Sequence, residues 1–270
     1  MPNASSLTPD SRFMAMFIGP KHSGKTVAAC SFIEPDKMVK VFDFDGRIRG
    51  LLGAPWIDRS KIDYEYYPPK TPDKTTMERV NNDFEVLQIQ CQDGKSPYGT
   101  VILDSLTSQT SALIADAIPL THANRKGKNI GTVAMAGPED YGYESTGTDQ
   151  IMRFLRSLPI KNVILTAHIV DRIGKLVPDD DFSERGVIGE KLSVRDKIGT
   201  NTMIYFDHIF RFDRKMVGGR ERFFVKFISD IACTSFENMP TGEIDITGKP
   251  FNSLMLELAN KGMSNPRRGC

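Results

Sequence analysis

Residues 19 to 26 read GPKHSGKT, directly after the apolar run FMAMFIG (13 to 19), and no other stretch restricts the fold of the chain as tightly. Two glycines, a lysine and a threonine at this spacing let the backbone curl so that successive N–H groups point at phosphate oxygens. A strand must feed such a loop and a helix must leave it. The residues Gly19, Pro20, Lys21, His22, Ser23, Gly24, Lys25, Thr26 and Val27 are therefore the expected contacts of a nucleoside triphosphate. Lys25 is expected to reach the β- and γ-phosphates, and the Thr26 hydroxyl to ligate Mg²⁺. The bland alternative, a glycine-rich turn with a solvated lysine, is disfavoured by the strand before it.

A chain that opens this way should continue by alternating strands with helices. The runs MVKVFDFD (38 to 45), TVILD (100 to 104) and KNVILTAH (161 to 168) are short, apolar and rich in β-branched residues, as parallel strands covered on both faces are. Between the second and third strands, Met77, Val80, Phe84, Leu87 and Cys91 recur at helical steps, after the connector YYPPKTPD. Leu106, Thr110, Leu113 and Ala117 mark another helix, which Pro119 should end, leaving HANRKGKNIGT as a loop. Helical spacing returns at Ile151, Leu155 and Leu158. Beyond 200, NTMIYFDHIFRF and RERFFVKFIS flank MVGGR and read as an antiparallel pair, before a last helix at FNSLMLEL. The expectation is an α/β domain over 12 to 258, with a mainly parallel central sheet flanked by helices and antiparallel C-terminal strands. A disordered tail (1 to 11) should precede it and a flexible basic one (259 to 270) should follow.

The formal net charge of the 270 residues is +1, so any nucleic-acid binding must come from local patches. No run approaches the length of a membrane-spanning helix, and the N-terminus has no signal-peptide core, so a cytoplasmic protein is expected. Cys30, Cys91, Cys233 and Cys270 are far apart, which suggests reduced thiols and no zinc site.

Three strand ends carry candidate chemistry. VILDS places Asp104 where a P-loop ATPase needs a carboxylate for the Mg²⁺ shell, reached through water. In VFDFDG, alternation puts Asp43 and Asp45 on one side, and either is a candidate to polarise the attacking water, against the alternative that Asp45-Gly46 only makes a turn. VILTAH sets Thr166 and His168 at the carboxyl edge of the sheet, where a polar residue can sense a γ-phosphate. Basic residues cluster at Arg125, Lys126 and Lys128, at Lys191, Arg195 and Lys197, and again between Arg211 and Arg222. The first two groups are candidate contacts for a phosphate backbone, with Tyr141 and Tyr143 as possible base-stacking residues. A solvated charged face and ordinary tyrosines are the competing readings.

The order GPKHSGKT, DFD, LDSLTS, YGYESTGTDQIMRFLRSLP, NVILTAH and FISDIACTSFENMP resembles the phage-encoded RecA-like P-loop ATPases, the core-only relatives described as phage nucleotide-binding or single-strand annealing proteins. The similarity spans roughly residues 12 to 258. It implies a RecA-like P-loop NTPase core that binds ATP and Mg²⁺, assembles as a ring or filament, and acts on single-stranded DNA in recombination, annealing or repair, in the host cytoplasm and beside a phage single-strand-binding protein. By the same resemblance Lys25, Asp45, Asp104 and His168 are the catalytic set, and the loops at about 121 to 137 and 169 to 198 face DNA. Two departures stand out: position 45 holds Asp where the relatives place Glu, and Cys233 stands where many have a lysine. A DNA motor ATPase and a non-hydrolysing, nucleotide-bound annealing factor are the alternatives, and a small-molecule kinase is disfavoured because no arginine-rich lid is identifiable.

Overall fold

The apolar runs form strands because both faces of each are covered by side chains from helices or other strands. The computed structural model describes residues 12–68, 74–92, 96–122, 129–130, 133–134, 136–175, 185–227, 231–234 and 240–263. Along the chain these form β1 (Phe13–Gly19), α1 (Lys25–Cys30), β2 (Met38–Asp43), β3 (Ile62–Tyr66), α2 (Thr76–Gln92), β4 (Tyr98–Asp104), α3 (Leu106–His122), β5 (Asn129–Ile130), β6 (Val133–Ala134) and α4 (Pro138–Ser157). Then follow β7 (Asn162–Lys175), β8 (Arg185–Leu192), α5 (Asp196–Met203), β9 (His208–Val217), β10 (Arg220–Lys226), β11 (Cys233–Thr234), β12 (Glu243–Asp245) and α6 (Phe251–Met263).

The main sheet runs β12-β10-β9-β1-β7-β4-β2-β3. From β9 to β3 neighbouring strands are parallel, while β10, β11 and β12 pair antiparallel at the C-terminal side. This is the expected α/β architecture. Strand β7 lies between the loop-bearing β1 and the Asp104-bearing β4, with Gly19 opposite His168 and Leu103 opposite Leu165. The carboxyl ends of β1, β7, β4 and β2 therefore meet at one edge, where open α/β sheets hold their ligands.

Alternation along β1 divides the core. Met14, Met16 and Ile18 face the layer of α2, α3 and α4, whereas Phe13, Ala15 and Phe17 face α1 and α6. On the second side Phe17, Phe32, Phe210, Phe212 and Phe227 surround Phe251, with ring centroids 5.2–6.4 Å from it. Among the described residues no helix is long and apolar enough to cross a membrane. Cys30 and Cys91 are buried free thiols.

Five local expectations change. Pro119 does not end α3, which continues to His122. The described parts of the expected loop 169–198 are regular: β7 runs on to Lys175 and pairs with β8 as an antiparallel ribbon, followed by α5, while 176–184 lie outside the described residues. The start of NTMIYFDHIFRF belongs to α5, and the strand begins only at His208. An additional strand, β3, forms the sheet edge, where Asp63 holds Lys40 of β2 at 3.0 Å. Residues 259–263 of the expected C-terminal tail instead continue α6, because the helix does not stop at Leu258, while 1–11, 264–270 and 69–73 of the connector lie outside the described residues.

Candidate functional site

The loop 20–24 joins β1 to α1, and its glycines are there because nothing larger fits. Gly19 has φ +155°, and a Cβ on it would lie 2.3 Å from the Phe212 carbonyl oxygen and 2.9 Å from Ser23 Oγ. Gly24 has φ +87° at the start of α1. Within this curl Lys25 is 5% exposed, and its ammonium donates to the carbonyl oxygens of Gly19 (2.9 Å) and Pro20 (2.8 Å). Burial pushes the Lys25 pKa down to about 8, while the charges of Asp104 and Asp45 pull it upward.

Asp104 ends β4 beside α1. Its Oδ2 accepts from Thr26 Oγ1 at 2.7 Å, and its Oδ1 accepts from Thr166 of β7. Burial raises the Asp104 pKa, and the charges of Asp45 and Asp43 raise it further, against the two threonine hydroxyls. A cation in this position would relieve that repulsion.

Asp43 and Asp45 separate because β2 stops at Asp43. The chain then turns, and Asp43 Oδ1 accepts the backbone N–H groups of Asp45 (3.0 Å), Gly46 (2.8 Å) and Arg47 (3.4 Å), while Oδ2 accepts that of Ile48 (3.3 Å). Asp43 is thus the buried anchor of the turn, and strand alternation does not extend to Asp45. Asp45 points into the site, accepting from Ser105 Oγ at 2.9 Å, from Ser108 Oγ, and from His168 Nε2 at 3.1 Å. Burial pushes its carboxyl up, but the hydrogen bonds from His168, Ser108 and Ser105 outweigh it and hold the pKa at about 2.

His168 connects the two charges. Its Nδ1 lies 3.4 Å from Lys25 Nζ and its Nε2 3.1 Å from Asp45. An ammonium can only donate, so Nδ1 is the acceptor and Nε2 carries the proton toward Asp45. The residues read as catalytic from the sequence, Lys25, Asp45, Asp104 and His168, converge on one cleft of about 310 Å³.

The cleft has walls the sequence did not announce. Arg47 and Gly50 contribute from the turn after β2, and Arg214, Glu221 and Phe223 from the β9–β10 hairpin. Ser108, three residues after Ser105 in the first turn of α3, is a site residue whose only sequence signal was the LDSLTS spacing. Among the described residues no group of three or more His, Cys, Asp or Glu side chains could hold a metal by itself.

The expected DNA contacts fare differently. Arg125, Lys126 and Lys128 lie outside the described residues. Lys191 pairs with Asp196 at 2.9 Å. Arg195 is a structural clamp: it meets Glu144 at 2.6 Å, donates to Tyr141 O and Ser145 Oγ, and stacks 4.6 Å over the Tyr141 ring. Tyr141 is thereby occupied, and Tyr143 packs against the core. Lys197 is exposed on α5. The cluster on β9 and β10 is largely paired within the chain, as in Arg211 with Glu190 and Lys215 with Glu243.

No family model matches the chain, and no curated protein sequence matches it. Among solved structures it is similar to a KaiC-like protein from the hyperthermophilic archaeon Pyrococcus horikoshii, at 11% identity, covering 88% of this chain and 86% of that one, with a TM-score of 0.46.

Proposed function

We propose that the chain is an ATPase of RecA-like type that binds ATP with Mg²⁺ and hydrolyses it. The observation that carries this reading is the unbroken sequence of contacts from Lys25 through His168 to Asp45, set beside the Thr26–Asp104 hydrogen bond at the mouth of a phosphate-binding loop. A purely structural loop would not require a buried lysine beside a carboxylate whose pKa is raised by burial and further by its acidic neighbours.

In this reading the loop and Lys25 bind the phosphate chain, and Lys25 exchanges the carbonyls of Gly19 and Pro20 for phosphate oxygens. Thr26 and Asp104 would hold Mg²⁺, which neutralises phosphate charge. Asp45, ionised far below neutral pH, is a weak proton acceptor and a good hydrogen-bond acceptor. Three donors occupy its oxygens and one lone-pair site of about four remains, so its role is to orient the attacking water. Movement of Lys25 removes the partner of His168 Nδ1. The His168 carbonyl accepts the N–H of Ser193, just after β8, at 2.8 Å, so in this reading the β7–β8 ribbon is the element placed to respond to nucleotide. Single-stranded DNA as the partner rests on the family resemblance, on the basic stretch 125–128 and on Lys191 and Lys197, because only Arg195 is held by a buried carboxylate, that of Glu144.

The test is phosphate release from ATP, with and without Mg²⁺ and single-stranded DNA, for the wild type and Lys25→Ala. Mg²⁺-dependent release that drops by about 10²-fold or more in the variant supports the reading, on the scale of losing one preorganised cation. A wild type that neither binds nor hydrolyses ATP overturns it, and hydrolysis indifferent to DNA removes the DNA arm alone.

A further inference from the structure

The phosphate-binding motif supplies only part of the cleft. The opposite wall comes from the β9–β10 hairpin, which turns at Gly218-Gly219 and packs against the loop: a Cβ on Gly24 would meet the Phe223 ring at 3.2 Å. Beside Phe223, Arg214 of β9 and Glu221 of β10 line the same cleft as Lys25, Asp104 and His168. Arg214 NH1 lies 3.0 Å from Glu221 Oε1, and the two side chains are 42% and 47% exposed.

Three neighbouring cations on the hairpin are committed elsewhere, and Arg220 does not line the cleft. Arg211 is gripped by both oxygens of Glu190 and by Asp213, Lys215 reaches Glu243, and Arg222 reaches Asp245. None of these carboxylates lines the cleft. The Arg214–Glu221 pair differs in having both members there. A single, half-exposed contact of this kind is weak in water. A phosphate chain carries more charge than one carboxylate and offers the guanidinium a bidentate partner.

We propose that Arg214 is a phosphate-binding residue serving the site of its own chain, and that Glu221 holds its guanidinium in the cleft until nucleotide displaces the carboxylate. The proposal rests on the nucleotide-binding reading above and adds to it a ligand residue and an internal competitor. In the free protein Glu221 occupies Arg214, and in the bound protein the phosphates do. Removing the competitor therefore strengthens nucleotide binding, the opposite of what loss of a merely structural ion pair does.

The experiment measures equilibrium binding of ATP and ADP by calorimetry for the wild type, Arg214→Ala, Arg214→Lys, Glu221→Gln and the Arg214→Ala/Glu221→Gln double variant. Thermal unfolding of each without ligand reports that it is folded. Arg214→Ala is expected to weaken binding about 10- to 100-fold, as loss of a charge-assisted hydrogen bond does. Arg214→Lys should recover part of that loss. Glu221→Gln should tighten binding severalfold, and the double variant should bind like Arg214→Ala alone. Equal affinity of folded Arg214→Ala and wild type, or weaker binding by folded Glu221→Gln, overturns the proposal while leaving the P-loop reading intact. Absence of binding by the wild type overturns both. Mixing Arg214→Ala with Lys25→Ala chains should restore no hydrolysis, and restoration would show that Arg214 serves a neighbouring chain instead.

Discussion

Asp43 and Asp45 sit two residues apart, both largely buried, yet the hydrogen bonds around them assign unrelated work. Asp43 accepts four backbone N–H groups of the turn that carries Asp45, whereas Asp45 accepts side-chain donors from Ser105 just before α3, Ser108 in α3 and His168 in β7. Asp43→Ala should therefore lower folding stability by about 2–3 kcal/mol, the range for hydrogen bonds to a buried charge, with activity falling only as the turn loosens. Asp45→Asn should also lower stability, by about 2–3 kcal/mol from ~1.4 kcal/mol per pKa unit, because the depressed pKa means the fold favours the ionised carboxylate, but it should reduce ATP hydrolysis by about 10²- to 10⁴-fold, as loss of a positioned catalytic carboxylate does. Denaturant unfolding and phosphate release, measured on the same preparations, separate the two. If Asp45→Asn retained full turnover, water orientation would have to be assigned elsewhere. The phosphate loop was legible in the sequence because its chemistry is local, with glycine, lysine and threonine all within one turn of chain. The division of labour between Asp43 and Asp45 was not, because it depends on β2 stopping at Asp43, and the alternation VFDFD carries no sign of that stop.

At the scale of elements, the strands and helices that bury continuous apolar faces were readable, and those whose partners lie far away in sequence were not. Strand β3, IDYEY, alternates polar and apolar residues at a half-exposed edge, so it looks like connector until Lys40 and Tyr98 are seen to hold Asp63. Helix α3 survives Pro119 because that residue is exposed and close to the helix end, where a lost backbone hydrogen bond matters less than in mid-helix. The hairpin wall of the site was invisible for the same reason of distance: Arg214 and Phe223 follow the loop they cover by about two hundred residues, and nothing in MVGGR says that β9 pairs with β1. Helix α6 packs on this wall through side chains. Its Phe251 is 1% exposed and packs against the rings of Phe17 in β1, Phe212 in β9, and Phe32 after α1. Phe251→Ala should cost about 3–5 kcal/mol, the usual range for emptying a buried aromatic site. Because that cavity opens beneath the strand feeding the phosphate loop, nucleotide affinity should fall in the same variant. Urea unfolding gives the first quantity, and a cost below about 1 kcal/mol would mean that α6 is not integral to the core.

The molecule as a whole depends on joining the parallel sheet, which carries Asp45, Asp104 and His168, to the antiparallel strands, which carry Arg214 and Phe223. That join is the β1–β9 pairing, and His208 stands at its start, opposite Ala15. Its ring lies 5.2 Å from that of Phe13 in β1 and 5.8 Å from that of Phe210, and its Nδ1 is 2.8 Å from Thr234 Oγ1 of β11. Burial pushes the His208 pKa from 6.5 down to about 4, only partly opposed by the charge of Asp207. Between those values the unfolded chain binds a proton that the folded one refuses, so stability rises with pH across the window and is lost as pH falls from about 6.5 toward 4. The full loss for one such group is about 3 kcal/mol, from ~1.4 kcal/mol per pKa unit. The depressed carboxyl of Asp45 adds its own loss only below about 3.8, outside this window. Comparing the wild type with His208→Phe, which keeps an aromatic ring in the stack, isolates the contribution from those of Asp43 and Asp104, whose raised pKa values act in the opposite sense. The difference in unfolding free energy between the two proteins should change by about 3 kcal/mol from pH 7 to pH 4, in the direction that favours the variant at low pH. A difference that stays constant with pH would show that His208 takes up its proton in the folded state without opening the join, and the coupling of the two halves through this ring would be wrong.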